Sequence, residues 1–266
     1  MIIFQTMNHT IRKTVLKASE IIKDGKFEIM EKDSCVNIVT SADIAVQKYL
    51  EKELTALIPQ SAFMGEENAE KCSNAEYTWI VDPIDGTQNF ARSMKQSAIC
   101  VALKHNNVIE EAVVYNPFLD DMFYATKGHG SYLNGRKLNV SSKSFKDSIL
   151  FTAMSLYDKS YAKTCSEVIM DAYMRCNDVR RFGTASLELC YIADGRGDLY
   201  FEYRLFPWDF AAASLILTEA GGIIGSPVKD TYSFEHACPV IAANNIENYI
   251  ELEKTAGKYI KNVPYL

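Results

Sequence analysis

The sequence lacks the features that mark membrane, secreted and zinc-binding proteins. Its 266 residues contain no apolar run long enough to span a membrane, and Met1 to Thr10 lack the basic segment and long apolar core of a signal peptide. The seven cysteines are scattered and form no CxxC pair, which argues against a zinc site or a disulfide framework. These absences predict a soluble cytoplasmic protein with reduced thiols and no membrane partner.

The chain also lacks an excess of basic residues. It has 28 Lys and Arg against 34 Asp and Glu, a formal net charge of −6. Surfaces that bind nucleic acid concentrate positive charge, so the sequence predicts no nucleic-acid partner. A small phosphorylated substrate is compatible with this balance if a metal ion supplies positive charge at the site.

The composition is that of a folded domain. Hydrophobic residues make up 48% and charged residues 23% of the chain, so a substantial core can form. The sequence predicts a single unit over 1–266 with approximate halves 1–145 and 146–266. The polar segment Ser141 to Asp147 lies between the halves.

Helices and an antiparallel sheet are predicted in the first half. One apolar stripe predicts a helix over Ile11 to Ile22, and Thr40 or Ser41 caps a second helix that ends before Pro59. Phe27 to Val39 is interpreted as a hairpin or mobile loop. Turn formers separate short apolar runs, which predicts strands over 62–65, 79–81, 97–103, 108–115, 122–125 and 136–140.

The second half alternates strands and helices, which favours a second α/β layer. The predicted strands cover 149–153, 179–182, 198–203 and 240–242. The predicted helices cover 160–174, 185–193, 209–220 and 247–258.

The stretch Trp79 to Phe90 has the most specific chemistry. A buried apolar run ends at Asp82 and Asp85, with Pro83 between them, and Gly86-Thr87 can then open a helix. Carboxylates are ligands for hard divalent cations, and the N–H groups of a helix start bind anions. Such a motif alone is weak, because capped turns also contain Asp and Pro.

Further acids follow other predicted elements. Glu66 and Glu67 follow a short strand, where a solvated acidic turn is the simpler interpretation. If that strand neighbours the Trp79 strand, Glu66 reaches the two aspartates. Asp209 begins an Ala-rich helix, either as a helix cap or as a fourth carboxylate of the same site.

Two long motifs resemble the inositol monophosphatase family of metal-dependent, lithium-sensitive phosphatases. They are Trp79 to Phe90 (WIVDPIDGTQNF) and Trp208 to Gly222 (WDFAAASLILTEAGG). Gly65-Glu66-Glu67 and Val39 to Asp43 also resemble family blocks, in the expected order. The resemblance implies a layered α/β (α+β) fold, a five-layer αβαβα sandwich shared with fructose-1,6-bisphosphatase, and a homodimer.

The resemblance also implies roles for individual residues. Glu66, Asp82 and the carbonyl of Ile84 would bind one Mg²⁺, and Asp82, Asp85 and Asp209 a second, with a third ion near Glu66. Thr87, with Asp43 behind it, would orient and help deprotonate a metal-activated water, so Thr87, Asp43 and Glu66 are the candidate catalytic residues.

Substrate contacts are implied in the same way. The backbone N–H groups of Gly86 and Thr87 would bind phosphate, and Gly183-Thr184-Ala185 would contact the alcohol. Glu202, seven residues before Asp209, and Asp209 itself would contact its hydroxyls, although Glu202 can equally be a charged strand end. Lys32 occupies the mobile-loop position near the third metal.

The implied reaction is Mg²⁺-dependent hydrolysis of a small phosphate monoester, first of all myo-inositol 1-phosphate. Fructose 1,6-bisphosphate, 3′-phosphoadenosine 5′-phosphate, histidinol phosphate and NADP are alternative substrates on the same fold. A non-catalytic binding protein is the alternative of another class. Departures from the family pattern at Phe206-Pro207 and Ala91 to Met94 leave the alcohol open.

Overall fold

The structure is a computed structural model that describes residues 2–23, 27–34, 37–67, 75–155, 158–261 and 263. The helices are α1 (Ile2–Lys23), α2 (Ser41–Leu57), α3 (Thr87–Ala91), α4 (Ala162–Tyr173), α5 (Ala185–Ala193), α6 (Pro207–Glu219) and α7 (Ile246–Tyr259). Two short 3₁₀ helices cover Phe145–Asp147 and Lys159–Tyr161.

The strands of the first half are β1 (Ile29–Ser34), β2 (Asn37–Thr40), β3 (Ala62–Gly65), β4 (Tyr77–Asp85), β5 (Ala98–His105), β6 (Val108–Asn116), β7 (Asp121–Thr126), β8 (Ser131–Leu133) and β9 (Arg136–Lys137). Those of the second half are β10 (Ile149–Thr152), β11 (Asp178–Arg180), β12 (Leu199–Leu205), β13 (Ile223–Gly225) and β14 (Cys238–Ala243).

Three sheets form from these strands. The largest has seven strands in chain order from β3 to β9, and all its neighbours are antiparallel except β3 and β4. The second has five strands in the order β11-β10-β12-β14-β13, in which β10 runs parallel to β11 and β12. The hairpin β1–β2 stands apart, which confirms the hairpin interpretation of this segment over the described residues.

The two larger sheets and three helix pairs form five layers. Alternate residues of β4 point to opposite faces, so Trp79 and Val81 pack with α1 and α2, whereas Ile80 packs with α5 and α6. Helices α5 and α6 therefore lie between the sheets. On the far side, α4 and α7 cover the five-stranded sheet through Val168 and Leu252. This arrangement confirms the predicted αβαβα sandwich.

The elements differ from their predicted bounds at a few places. Helix α1 begins at Ile2 instead of Ile11, β9 contains only two residues, and β8 and β13 were not predicted. Strands of three residues such as β8 and β13 are too short to show a hydrophobic period, and they form because a neighbouring strand supplies the hydrogen bonds.

The structure also bears on the predictions about membrane spans and cysteines. No helix in the described part of the chain is both long and apolar enough to cross a membrane. The five described cysteines are free thiols, namely Cys100, Cys165, Cys176, Cys190 and Cys238. The other two, Cys35 and Cys72, lie outside the described residues.

Candidate active site

A cavity of about 490 Å³ opens between the two sheets, where β4 ends and α3 begins. Eleven of the predicted site residues line it: Glu66, Asp82, Ile84, Asp85, Gly86, Thr87, Gly183, Thr184, Ala185, Glu202 and Asp209. They come from both halves of the chain, so the folded protein brings together residues that are far apart in sequence.

Glu66 reaches the cavity because β3 and β4 are parallel neighbours. Met64 pairs with Ile80 and Gly65 with Val81, so the next residues of the two strands, Glu66 and Asp82, leave the sheet at the same edge. The Glu66 amide donates to the Val81 carbonyl at 3.3 Å. Glu66 was expected to join the two aspartates only if its strand neighboured the Trp79 strand, and β3 does pair with β4.

The turn from β4 into α3 is held by its own polar groups. Pro83 has no amide hydrogen, and the pairing of β4 with β5 is irregular between Asp82 and Asp85. The Ile84 amide donates to Asp82 Oδ1 at 2.9 Å, and the Thr87 hydroxyl donates to the Ile84 carbonyl at 3.0 Å. This local bonding directs both aspartates into the cavity.

Asp43 lies behind Thr87 and outside the cavity lining. It is fully buried at the start of α2, where its carboxylate accepts from the Thr40 amide at 2.8 Å in a capping box. Its other oxygen accepts from the Thr87 hydroxyl at 3.2 Å. Burial raises the pKa of Asp43 to about 6, although the hydrogen bonds from Thr40 lower it.

A group of acids at the end of β4 and the start of α6 is the main electrostatic feature of the cavity. Burial, reinforced by the neighbouring acids, raises the pKa of Asp82 and Asp209 well above the ordinary value and that of Asp85 to about 7. Among the described residues, no Lys or Arg forms an ion pair with these three aspartates. A bound cation would offset the repulsion between them.

The second half of the chain orients two of these aspartates. Asp85 accepts from both the amide and the hydroxyl of Ser186, at 2.9 and 2.5 Å, across the boundary between the halves. Asp209 accepts from the Phe206 amide at 2.8 Å at the start of α6. Each carboxylate is thereby fixed by donors of its own helix start or of a neighbouring one.

The donor set fits a hard divalent cation. Four carboxylates and the Ile84 carbonyl surround the cavity, and all are oxygen ligands of the kind that Mg²⁺ prefers. As they stand, no three His, Cys, Asp or Glu side chains in the described ranges are grouped closely enough to hold a metal ion. The acids therefore share a cavity without already converging on one point.

The opposite wall contains the residues expected to contact the alcohol. Asn89 donates to the carbonyl of Phe182 at 2.8 Å and to the Thr184 hydroxyl at 3.2 Å, which ties α3 to the Gly183-Thr184-Ala185 segment. Glu202 is buried and accepts from the Tyr200 hydroxyl at 2.6 Å. Burial raises its pKa to about 7.

Sequence reasoning missed Glu188, which also lines the cavity. Its carboxylate accepts from the Phe182 amide at 2.5 Å and from the Gly183 amide at 3.2 Å. Burial raises its pKa to about 8. Its position in the first turn of α5, after Gly183-Thr184, could have identified it from the sequence. Acids at such positions accept hydrogen bonds from free amides near the helix start.

Two arginines, Arg92 and Arg181, and the apolar side chain of Met94 also line the cavity. The predicted role of Lys32 stays a prediction. Its backbone belongs to β1, but its side chain lies outside the described part of the structure.

The fold and the acid-lined cavity are those expected of the inositol monophosphatase family. The chain belongs to the inositol monophosphatase family, which it matches over residues 5–261. The match includes both halves of the chain and every residue that lines the cavity.

Particular relatives share much of the chain. An inositol monophosphatase of Dictyostelium discoideum is 37% identical over 260 residues, which cover 91% of this chain and 94% of the relative. The Nus factor SuhB of Escherichia coli K12 is 37% identical over 190 residues, 71% of each chain. A solved structure of an IMPase/NADP phosphatase complexed with Mg²⁺ and phosphate has a TM-score of 0.84 and covers 95% of both chains, but at 20% identity this likeness shows the fold alone.

Proposed function

We propose that this protein is a Mg²⁺-dependent phosphatase that hydrolyses a small phosphate monoester, with myo-inositol 1-phosphate or a similar polyol phosphate as the first choice. The observation that carries the proposal is the cavity in which Glu66, Asp82, Asp85 and Asp209 meet without a basic ion-pair partner for the three aspartates. Family membership supports the reaction class, and the set of carboxylate and carbonyl oxygens around the cavity supports the metal.

The proposed metal ligands are those that the family resemblance implies. Glu66, Asp82 and the Ile84 carbonyl would hold one Mg²⁺, and Asp82, Asp85 and Asp209 a second, with a third ion near Glu66. When bound, Mg²⁺ neutralises charge on the phosphate dianion and lowers the pKa of a coordinated water.

Thr87 and Asp43 are the proposed proton-handling pair. The Thr87 hydroxyl has one proton to donate, to Asp43 at 3.2 Å or to the Ile84 carbonyl at 3.0 Å, and the lone pairs of its oxygen can orient the attacking water. Burial raises the pKa of Asp43 to about 6, close to the working pH, which suits a carboxylate that takes up a proton through Thr87. Glu66, which also lines the cavity, is the third proposed catalytic residue.

Substrate binding is assigned to two walls. The backbone amides of Gly86 and Thr87, at the start of α3, would bind the phosphate together with the metal. Glu202 and the Gly183-Thr184-Ala185 segment would contact the hydroxyls of the alcohol, for which a buried carboxylate is a strong acceptor. Asp209 would contribute to the same surface.

A bisphosphate is the alternative substrate on this fold. Arg92 and Arg181 line the cavity and could neutralise a second phosphate. Turnover is to be compared for inositol 1-phosphate, fructose 1,6-bisphosphate, 3′-phosphoadenosine 5′-phosphate, histidinol phosphate and NADP, with Mg²⁺ and with or without Li⁺. Faster cleavage of a bisphosphate than of inositol 1-phosphate would overturn the first choice.

A non-catalytic role is the alternative of another class, since one relative bears the name Nus factor. The complete set of acids favours catalysis, and the net charge of −6 favours a small-molecule partner over nucleic acid. We further propose a cytoplasmic, Li⁺-inhibited homodimer. Sedimentation at micromolar concentration tests the dimer, and the Li⁺ arm of the substrate comparison tests the inhibition.

The variant Asp82→Asn tests the metal assignment. It is expected to lower Mg²⁺-dependent phosphate release by at least about 10²-fold, because one ligand shared by two ions loses its charge. Its unfolding temperature without metal should not fall, because the substitution removes a buried charge with a raised pKa. Asp230→Asn, in an exposed loop, is the matched control. Wild-type activity in the Asp82 variant would contradict the assignment.

A further inference from the structure

A second cavity, of about 390 Å³, lies on the outer side of the seven-stranded sheet and shares no described lining residue with the first. Helix α1 and the strands β7 and β8 with their connecting turn form its walls. Its lining residues are Asn8, His9, Arg12, Tyr124, Thr126, His129, Gly130 and Tyr132.

The walls of this cavity are built from regular structure. Asn8 and Arg12 are four residues apart on α1, so they share one face of the helix. Tyr124 and Thr126 share one face of β7, and Tyr124 pairs with Tyr132 of β8.

An aromatic stack supports the arginine. The Arg12 guanidinium lies 4.0 Å from the centroid of the Tyr124 ring, and the Tyr124 and Tyr132 rings stack with centroids 5.4 Å apart. Such a stack restricts the guanidinium to one orientation over the tyrosines and leaves its edge for other partners. The arginine is thus held in place without a carboxylate.

The turn that contains His129 is also fixed. The amides of Gly128 and Gly130 donate to the two oxygens of Glu219 at 2.7 Å each, and the Tyr132 hydroxyl donates to the His129 carbonyl at 3.2 Å. Glu219 is therefore engaged by the turn and lies outside the cavity lining. Exposed His129 and His9 both border the cavity.

The described lining of this cavity is basic, in a protein whose net charge is −6. No Asp or Glu is among the lining residues, and within the described residues Arg12 forms no ion pair and its buried Nε has no hydrogen-bond partner. The neighbouring acid Glu111 is buried and lies outside the lining, where one of its oxygens accepts from Asn8 at 2.8 Å and from Thr126 at 2.7 Å.

We propose that this second cavity is a binding site for a small oxyanion, namely a phosphate group, held by Arg12 with His9 and His129. The guanidinium presents several N–H groups in a planar fork that matches the oxygens of phosphate, and the imidazoles add single donors. The site is separate from the acid-lined cavity and does not depend on the function proposed for it.

Isothermal titration with inorganic phosphate in metal-free buffer with EDTA tests the proposal. EDTA removes the cation proposed to hold phosphate in the first cavity, and the difference in affinity between the wild type and variants of the second cavity reports binding at the second cavity. Arg12→Gln is expected to weaken phosphate binding at least about tenfold, which corresponds to the loss of a charge-assisted hydrogen bond. His129→Ala, in an exposed turn that folds without it, is expected to weaken binding about threefold to tenfold.

Lys13→Gln is the matched control, since it removes the same charge from the next, exposed residue of α1. Its affinity for phosphate should stay within about twofold of the wild type. No phosphate binding by the wild type, or equal affinities of the wild type, Arg12→Gln and His129→Ala, would overturn the proposal, whether or not the protein has phosphatase activity.

The choice of phosphate over carboxylate is tested with acetate. Phosphate carries close to two charges at neutral pH and has more acceptor oxygens, so it should bind at least about tenfold more tightly than acetate. Acetate affinity equal to or higher than that of phosphate would overturn the phosphate assignment.

Discussion

At the scale of single residues, the acids of the site fall into two groups. Asp82, Asp85 and Asp209 line the cavity at strand ends or helix starts, and their sequence motifs predicted this position. Glu188 also lines the cavity, but its carboxylate is occupied by the backbone of residues 182 and 183. It therefore fixes the Gly183 segment, which is proposed to contact the substrate.

Substitution of Glu188 separates positioning from chemistry. Glu188→Ala removes the acceptor of two amides, so the Gly183 segment should shift and KM should rise about tenfold or more while kcat changes less than about threefold. Because burial raises the pKa of Glu188 to about 8, neutral Glu188→Gln imitates its state at pH 7 and should restore KM. A fall in kcat alone, without rescue by glutamine, would contradict this role.

At the scale of elements, the start of α3 is the most constrained point of the site. Gly86 has a φ of +84°, and an added Cβ would lie 2.5 Å from the Thr184 hydroxyl and 2.9 Å from the Gln96 carbonyl. The turn therefore needs glycine twice, for its left-handed backbone and for the close approach of the second half.

The variant Gly86→Ala measures this close approach. It is expected to destabilise the protein by more than about 2 kcal/mol, because backbone strain of about 1–2 kcal/mol adds to the clash. Gly128→Ala is the matched control: its φ is +75°, but nothing lies within 4 Å of the added Cβ. Equal unfolding free energies of the two variants in urea would show that the clash contributes nothing.

Elements were predicted well where a long periodic pattern exists and poorly where it does not. The stripe over Ile11 to Ile22 and the apolar runs between turn formers in β4 to β7 depend on many residues, and the structure has a helix and strands there. The short strands β8 and β13 have no such pattern, because their pairing partners β7 and β14 supply the hydrogen bonds.

At the scale of the whole molecule, buried Glu111 of β6 connects two layers. Its carboxylate accepts from Asn8 of α1 and from Thr126 of β7. Burial raises its pKa from 4.5 to about 7 in the folded protein. The folded state thus binds this proton more tightly than the unfolded chain does, so the protonated group favours folding.

Stability is therefore expected to fall as pH rises from about 4.5 through about 7, because the contribution of protonated Glu111 is lost over this window. Its size is on the order of 1–3 kcal/mol, since each pKa unit is worth about 1.4 kcal/mol. In metal-free buffer, Glu111→Gln should lose this part of the pH dependence, as measured by urea unfolding at several pH values. Exposed Glu20→Gln is the control, and an unchanged slope in Glu111→Gln would falsify the assignment.

The amino-acid sequence by itself determined the fold class and nearly all of the candidate site. The motif Trp79 to Phe90 encodes its strand, turn and two acids within one local segment, and local bonds among Asp82, Ile84 and Thr87 hold it. Asp209 carries its own capping signal at the start of α6. Such features depend on neighbours in the chain, which a sequence displays directly.

Only the tertiary structure decided which distant residues meet. The parallel pairing of β3 with β4 delivers Glu66, Ser186 holds Asp85 across the two halves, and Glu188 holds the substrate wall. The cavity around Arg12 likewise exists only because α1 packs beside the β7–β8 hairpin. These contacts join residues far apart in the chain. A local sequence pattern does not predict them, because they form only when whole layers of helices and strands pack together.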